Sequence, residues 1–274
     1  MQSIKEYVAE RKEALKREFG DLEFCQLAII QVGDVEASSR YVRNKLKDCE
    51  EVGLSAMLVH LPEDTTEAEL LELINSFNED PEITGFIVQL PLPKHISEQC
   101  VIEAISPLKD VDGFSKLAVV NPGTPQGVID YLDSQGFQYQ DKNAVVIGRS
   151  NIVGKPLARL LLEKNCNVTQ LHSKTGEANK RLALENADLI CVATGHRNTI
   201  DASYRLKPTA VICDIGINFN ESGKLVGDVE QELPVAFKSP VPGGFGLCTR
   251  LALLTNLLKL YKIQHCLDQK VYKA

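Results

Sequence analysis

Short apolar runs alternate with charged, helix-patterned segments along almost the whole chain, and no other feature restricts the fold as much. LAIIQV, LSAMLVHLP and ITGFIVQL read as strands. SSRYVRNKLKDCEEVG lies between the first two and predicts a helix of about four turns, from N-capping serines to Gly53. TTEAELLELINSFNED follows the second strand, with apolar residues at helical spacing and Thr65 or Thr66 as cap. A charged segment ending near Gly20 predicts a helix before the first strand, and ISEQCVIEAI predicts one after the LPLP stop. Strands separated by helices imply parallel βαβ units, because a parallel pair needs a crossover long enough to hold a helix.

The first series ends at Asp112, and the irregular passage GFSKLAVVNPG is the expected junction. TPQGVIDYLDSQG then predicts a helix with Thr124 as cap and Pro125 in its first turn. A second series runs through strand NAVVIG, helix VGKPLARLLLEK, strand CNVTQL, helix NKRLALEN and strands DLICVATG and TAVICDIGI. The tail LCTRLALLTNLLKLYKI is a long amphipathic helix, expected to pack back on the first domain. The expected class is a two-domain α/β protein: 1–122 completed by 247–274, and a Rossmann-like domain at 123–246.

A chain of 274 residues buries enough surface to need no covalent staples. Its 44% hydrophobic and 24% charged residues exclude wholesale disorder. Asp and Glu outnumber Lys and Arg, 37 to 30, which argues against a nucleic-acid partner. Of the eight cysteines, Cys25, Cys166, Cys191 and Cys213 lie in or beside apolar runs, where a free thiol behaves as a small hydrophobe. No CxxC pair and no HxxxH pair occurs, so a zinc site has no support. The charged N-terminus lacks a signal-peptide core, and no apolar run approaches a membrane span; a cytoplasmic, membrane-free setting is expected.

AVVIGRSNIVGKP carries the strongest local signal. An apolar strand runs into Gly148, which allows a tight turn, and Gly154 allows close packing of helix on strand. A helix opening at Ser150–Val153 would face a phosphate with its free N–H groups. The full GxGxxG is absent, because Ser150 stands at its second glycine. The next strand ends LHSKTGE, with no acid before Glu177 to hold ribose hydroxyls. Arg149, Ser173, Lys174 and Thr175 instead suit a 2′-phosphate, so NADP is expected over NAD.

In the first series, Ser38, Tyr41 and Lys45 share one helical face. Tyr41 offers a flat ring to an aromatic ligand. Lys45 offers a movable cation that can carry protons once a hydrophobic ligand strips its water. Lys47 lacks such neighbours and serves as the comparison. Gln89 stands at the end of a strand, where open α/β sheets hold ligands, and either Pro91 or Pro93 can follow a cis bond. Asp110 and Asp112 lie close to a glycine and can cap, bind a ligand or, less well, hold a metal. SPVPGGFG, 239–246, lets backbone approach a ligand closely.

GDVEASSRYVRNKLKDCEEVGL, GFIVQLPLPKHI, KDVDGF, TPQGV, VIGRSNIVGKPLA, HSKT, DIGIN and PVPGG together resemble the bifunctional methylenetetrahydrofolate dehydrogenase/cyclohydrolase family, in that family's order from about Leu27 to Thr249. The resemblance implies a homodimer of two-domain subunits. It implies oxidation of 5,10-methylene-tetrahydrofolate with NADP, then hydrolysis of the methenyl product to 10-formyl-tetrahydrofolate. Lys45 matches the catalytic lysine, Tyr41 the tyrosine stacking on the aminobenzoate ring, and Gln89 the glutamine bonded to the lysine. Asp112 matches the pterin anchor, and Gly243 and Gly244 match substrate-side glycines. Gly148, Arg149, Ser150, Gly154, Ser173, Lys174 and Gly195 match cofactor positions, with Arg149 and Ser173 at the 2′-phosphate.

This chain departs from the family pattern in its short GFSKLAVVNPG loop, in Gly123 where the family has a cysteine, and in Phe245–Thr249, where the family reads VGPMT. A dehydrogenase without cyclohydrolase activity and a non-catalytic folate- or nucleotide-binding homologue are the competing readings. Retention of Tyr41, Lys45, Gln89 and Asp112 stands against the binding homologue; retention of Lys45 and Gln89 stands against the dehydrogenase alone, and the short loop speaks for it.

Overall fold

The computed structural model describes residues 1–271, and side chains at 1–36 and 38–266. The chain forms two compact units. The first comprises Glu10–Gly123 and Arg250 onward; the second comprises Met1–Ala9 and Thr124–Thr249.

The first unit is built on a parallel three-stranded sheet of order β2-β1-β3, with β1 at Gln26–Val32, β2 at Ser55–Leu61 and β3 at Gly85–Val88. Ile30 of β1 pairs Val59 on one side and Val88 on the other. Burial on both faces explains why β1 reads as a continuous apolar run rather than an alternating one. α2 (Glu36–Glu51), α3 (Glu67–Glu79) and α4 (Glu98–Ala104) supply the crossovers. Leu70, Ile74 and Phe77 of α3 fall on one stripe and pack with Ala28, Ile30, Phe86 and Val101. The segment after α4 runs beside β3, where the Phe86 N–H donates to the Lys109 carbonyl at 2.9 Å. Gly85 permits this approach: a Cβ there would lie 2.6 Å from Val111 Cγ2.

The tail helix α8 (Phe245–Val271) contributes its residues from Arg250 to this unit, as the sequence predicts. The buried Asn256 Nδ2 donates to the carbonyls of Val111 and Asn121, both at 2.9 Å. Gln264 Nε2 donates to Thr84 O at 2.8 Å and Leu108 O at 2.7 Å.

The second unit carries a parallel five-stranded sheet of order β10-β7-β6-β4-β5. Its elements are α5 (Gly123–Ser134), β4 (Asn143–Ile147), α6 (Gly154–Glu163), β5 (Asn167–Leu171), α7 (Glu177–Glu185), β6 (Leu189–Val192), β7 (Val211–Asp214) and β10 (Phe237–Lys238), with an antiparallel ribbon of β8 (Asn218–Phe219) and β9 (Leu225–Val226). The start of α1 (Ile4–Gly20) belongs here, although the sequence reading kept 1–122 together. The cause is aromatic: Tyr7 meets Tyr131 edge-on at 5.5 Å, and Tyr131 Oη donates to Gln2 O at 2.6 Å.

Two expected caps are corrected. α2 starts at Glu36 with no side-chain cap, and its serines lie inside the helix: Ser38 is buried, and Ser39 Oγ accepts from Gln31 Nε2 at 2.8 Å. α5 starts at Gly123, so Thr124 lies within its first turn and shares a hydrogen bond with Thr249 Oγ1 at 2.9 Å. α3 is capped by Thr66 in a full capping box with Glu69.

Candidate active site

In the first unit, α2 buries Val42 and Cys49 and so turns Tyr41 and Lys45 toward one side, a turn apart. Lys45 Nζ donates to Gln89 Oε1 at 3.1 Å. Gln89 immediately follows β3, and its N–H donates to Ile30 O at 2.8 Å, which fixes it at the carboxyl end of the sheet. Its Nε2 donates to Leu90 O at 2.6 Å, so the amide oxygen is the end presented to the lysine. Leu90–Pro91 is cis, as is Val241–Pro242 in the second unit.

The two acids of KDVDGF take different roles. Asp110 is 2% exposed, and its carboxylate accepts from Gly113 N and Ser115 N, both at 2.9 Å. It is spent on the turn. Asp112 is half-buried and has no hydrogen-bond partner among the described residues. Burial raises its carboxyl above the ordinary aspartate value; the Lys45 charge opposes this and Asp110 adds to it. Tyr41 keeps 39% of its surface exposed. Burial also raises its hydroxyl, against the charge of Arg250. Lys47, by contrast, lies in solvent at 72% side-chain exposure and pairs with Glu51 at 3.9 Å. The first unit thus brings together a flat ring, an ammonium directed by an amide and an uncommitted carboxyl.

In the second unit, Gly148 has φ +125°, and a Cβ there would lie 2.3 Å from Ala193 O. A Cβ on Gly154 would lie 2.3 Å from Gly148 O. Both glycines are therefore demanded by close backbone approach, as the sequence predicts for a nucleotide turn. α6 opens at Gly154 rather than within Ser150–Val153, because Ser150 Oγ accepts from Val153 N at 3.2 Å and Gly154 N at 3.3 Å and organises the turn ahead of it.

Ile147 pairs Leu171, so Gly148–Arg149 and His172–Lys174 leave neighbouring strands side by side. His172 N to Thr175 Oγ1 (3.0 Å) and Thr175 N to His172 O (2.8 Å) tighten the second tip. Arg149, Ser173 and Lys174 are exposed, with no side-chain hydrogen-bond partner among the described residues. Glu177 is engaged by Arg181 at 2.9 Å and by the Tyr204 hydroxyl at 3.2 Å. Two close-packed glycines and two adjacent strand tips with a cation on each and no free acid fit a dinucleotide bearing an extra phosphate.

Gly195 (φ +69°) follows β6, and its N–H donates to Asp228 Oδ2 at 3.0 Å. Gly243 (φ +92°) and Gly244 also lie in the second unit, whereas Tyr41, Lys45, Gln89 and Asp112 lie in the first. A Cβ on Gly244 would lie 2.1 Å from Pro240 O. Sequence reasoning missed Asp214 and Asp228, which are 1% and 0% exposed. Their signal was a nearby glycine each, Gly216 two residues after Asp214 in DIGIN and Gly227 just before Asp228 in GDV. Among the described residues no cluster of His, Cys, Asp and Glu suits a metal ion, and no helix is long and apolar enough to cross a membrane.

Residues 1–112 match the catalytic domain of the tetrahydrofolate dehydrogenase/cyclohydrolase family, and residues 122–265 match its NAD(P)-binding domain. A Brevibacillus brevis protein named bifunctional protein FolD is 47% identical over 250 residues, 87% of each chain. The crystal structure of the FolD methylenetetrahydrofolate dehydrogenase/cyclohydrolase from Campylobacter jejuni superposes with a TM-score of 0.91 at 40% identity, covering 96% of this chain and 98% of that one. The Trypanosoma brucei enzyme, solved with NADP cofactor and an inhibitor, gives a TM-score of 0.90 at 28% identity over 96% and 97%.

Proposed function

The chain belongs to the tetrahydrofolate dehydrogenase/cyclohydrolase family, and on that premise we propose that it oxidises 5,10-methylene-tetrahydrofolate to the methenyl compound with NADP and hydrolyses that product to 10-formyl-tetrahydrofolate. The observation that carries this reading is the Lys45–Gln89 contact at 3.1 Å beside the uncommitted carboxyl of Asp112.

In this reading Tyr41 stacks on the aminobenzoate ring and Asp112 accepts hydrogen bonds from the pterin. Gln89 takes one ammonium hydrogen of Lys45 and so sets the direction of the others. Lys45 Nζ then exchanges a proton with the water that adds to the methenyl carbon. Bound NADP supplies a hydride acceptor. The oxidation needs no proton carrier, so the residues serve it by alignment. Arg149, Ser173 and Lys174 hold the 2′-phosphate, and Gly148, Ser150 and Gly154 admit the dinucleotide backbone. Gly195, Gly243 and Gly244 offer main chain to the ligands.

Homodimerisation in the cytoplasm completes the proposal. It is supported by the apolar Ile217 and Phe219, 44% and 61% exposed, as a surface for a second copy, and by eight cysteines that are all free. The test follows NADPH and the methenyl intermediate separately from methylene-tetrahydrofolate. Formation of both NADPH and the 10-formyl product is expected. NADPH with a methenyl product that never decays faster than without enzyme would leave a dehydrogenase only, and no NADPH at all would leave a binding protein.

A further inference from the structure

Asp228 is fully buried, and its side chain is bound entirely by donors. Oδ2 accepts from Thr194 N at 2.6 Å, Thr194 Oγ1 at 2.8 Å and Gly195 N at 3.0 Å. Oδ1 accepts from Asn218 Nδ2 at 2.7 Å. Its own backbone is held in turn: Asp228 N donates to Asp214 Oδ1 at 2.9 Å, and Val229 N to Asp214 Oδ2 at 3.1 Å. Two glycines make room for the acids. A Cβ on Gly216 would lie 2.0 Å from the Asp228 carboxyl, and one on Gly227 would lie 1.9 Å from that of Asp214.

This knot decides what the turn after β6 can offer. In a trans peptide, N–H and the preceding C=O point in opposite directions. With the N–H groups of Thr194 and Gly195 drawn inward to Asp228, the carbonyls of Ala193 and Thr194 face away from it. Ala193 O accordingly lies 2.3 Å from where a Cβ on Gly148 would be, against the glycine turn of β4. The turn is half-exposed, and a Cβ on Gly195 would meet nothing within 4 Å, so its outer side is open. A turn that presents carbonyls and withholds its amides repels phosphate and suits hydrogen-bond donors.

We propose that Asp228 is a positioning residue that makes the Thr194–Gly195 turn, which follows β6 on the side of β4 away from β5, an acceptor site for the uncharged, donor-bearing nicotinamide riboside of the dinucleotide, through its ribose hydroxyls or carboxamide. This rests on the dinucleotide reading above. The phosphate end falls to the separate strand tips carrying Arg149, Ser173 and Lys174.

The test measures binding by calorimetry, with NADP and with adenosine 2′,5′-bisphosphate, which keeps the adenosine and its 2′-phosphate and lacks the nicotinamide riboside. Asp228→Asn places an amide nitrogen where donors converge. It is expected to weaken NADP at least 10-fold and the bisphosphate less than 2-fold, with faster hydrogen exchange at the Gly195 amide. Equal weakening of both ligands, or of neither, overturns the proposal. If Asp228→Asn fails to fold, Thr194→Val removes the hydroxyl that donates to Asp228 and also meets Thr199 Oγ1 and His196 N, and should weaken NADP at least 3-fold with the bisphosphate unaffected; unchanged NADP binding again overturns it. Wild-type protein that binds neither ligand refutes the dinucleotide reading itself.

Discussion

Arg149 and Lys174 extend from adjacent strand tips with no side-chain hydrogen-bond partner among the described residues, so their charges are available to a phosphate. Arg149→Ala should narrow the preference for NADP over NAD by about 1–3 kcal/mol, the worth of one charge-assisted hydrogen bond. Titration of both cofactors into both proteins checks it, and equal wild-type affinities for NADP and NAD would refute the assignment. How far such roles could be read from sequence depends on where a side chain finds its partners. Tyr41 and Lys45 are neighbours along one helix, so spacing alone pairs them. Asp110 and Asp112 look alike until Gly113 and Ser115 fold their amides around the first and leave the second uncommitted. Beyond the glycine before it, nothing local marks Asp228, because its donors at Thr194, Gly195 and Asn218 lie 34, 33 and 10 residues away.

α3 shows a local rule that survives in the folded protein. Glu69 N donates to Thr66 Oγ1 at 3.2 Å, and Thr66 N donates to Glu69 Oε2 at 2.8 Å. Thr66→Ala should lower unfolding free energy by about 1 kcal/mol, read from urea titration, with both activities retained. An unchanged midpoint would mean that packing of Leu70, Ile74 and Phe77 alone holds the helix. Where local rules failed, tertiary partners had taken the capping groups: Ser39 serves Gln31, and Thr124 serves Thr249. β8, β9 and β10 span two residues each, too short for any period to announce them.

For the molecule as a whole, the buried Asp214 of the second unit couples stability to pH. Burial raises Asp214 from 3.8 to about 6, the amides of Asp228 and Val229 oppose this, and the Asp228 charge adds to it. A raised carboxyl binds its proton more tightly when folded, so its stabilising contribution is complete below pH 3.8 and is lost as pH rises to about 6. The amplitude is at most ~3 kcal/mol. Asp214→Asn should remove that part of the slope of unfolding free energy between those limits; an unaltered slope would assign it to other groups. The same separation into units governs function. Lys45, the proposed proton carrier, belongs to the first unit, and the tips proposed to hold the 2′-phosphate belong to the second, so the two reactions should come apart on mutation. The most direct test is Lys45→Met, with hydrolysis of methenyl-tetrahydrofolate and formation of NADPH measured separately and Lys47→Met as control. Hydrolysis should fall by ~10²–10⁴-fold, as for a lost acid–base group, NADPH formation should fall less, and Lys47→Met should match wild type. Hydrolysis by Lys45→Met at the wild-type rate would contradict the account.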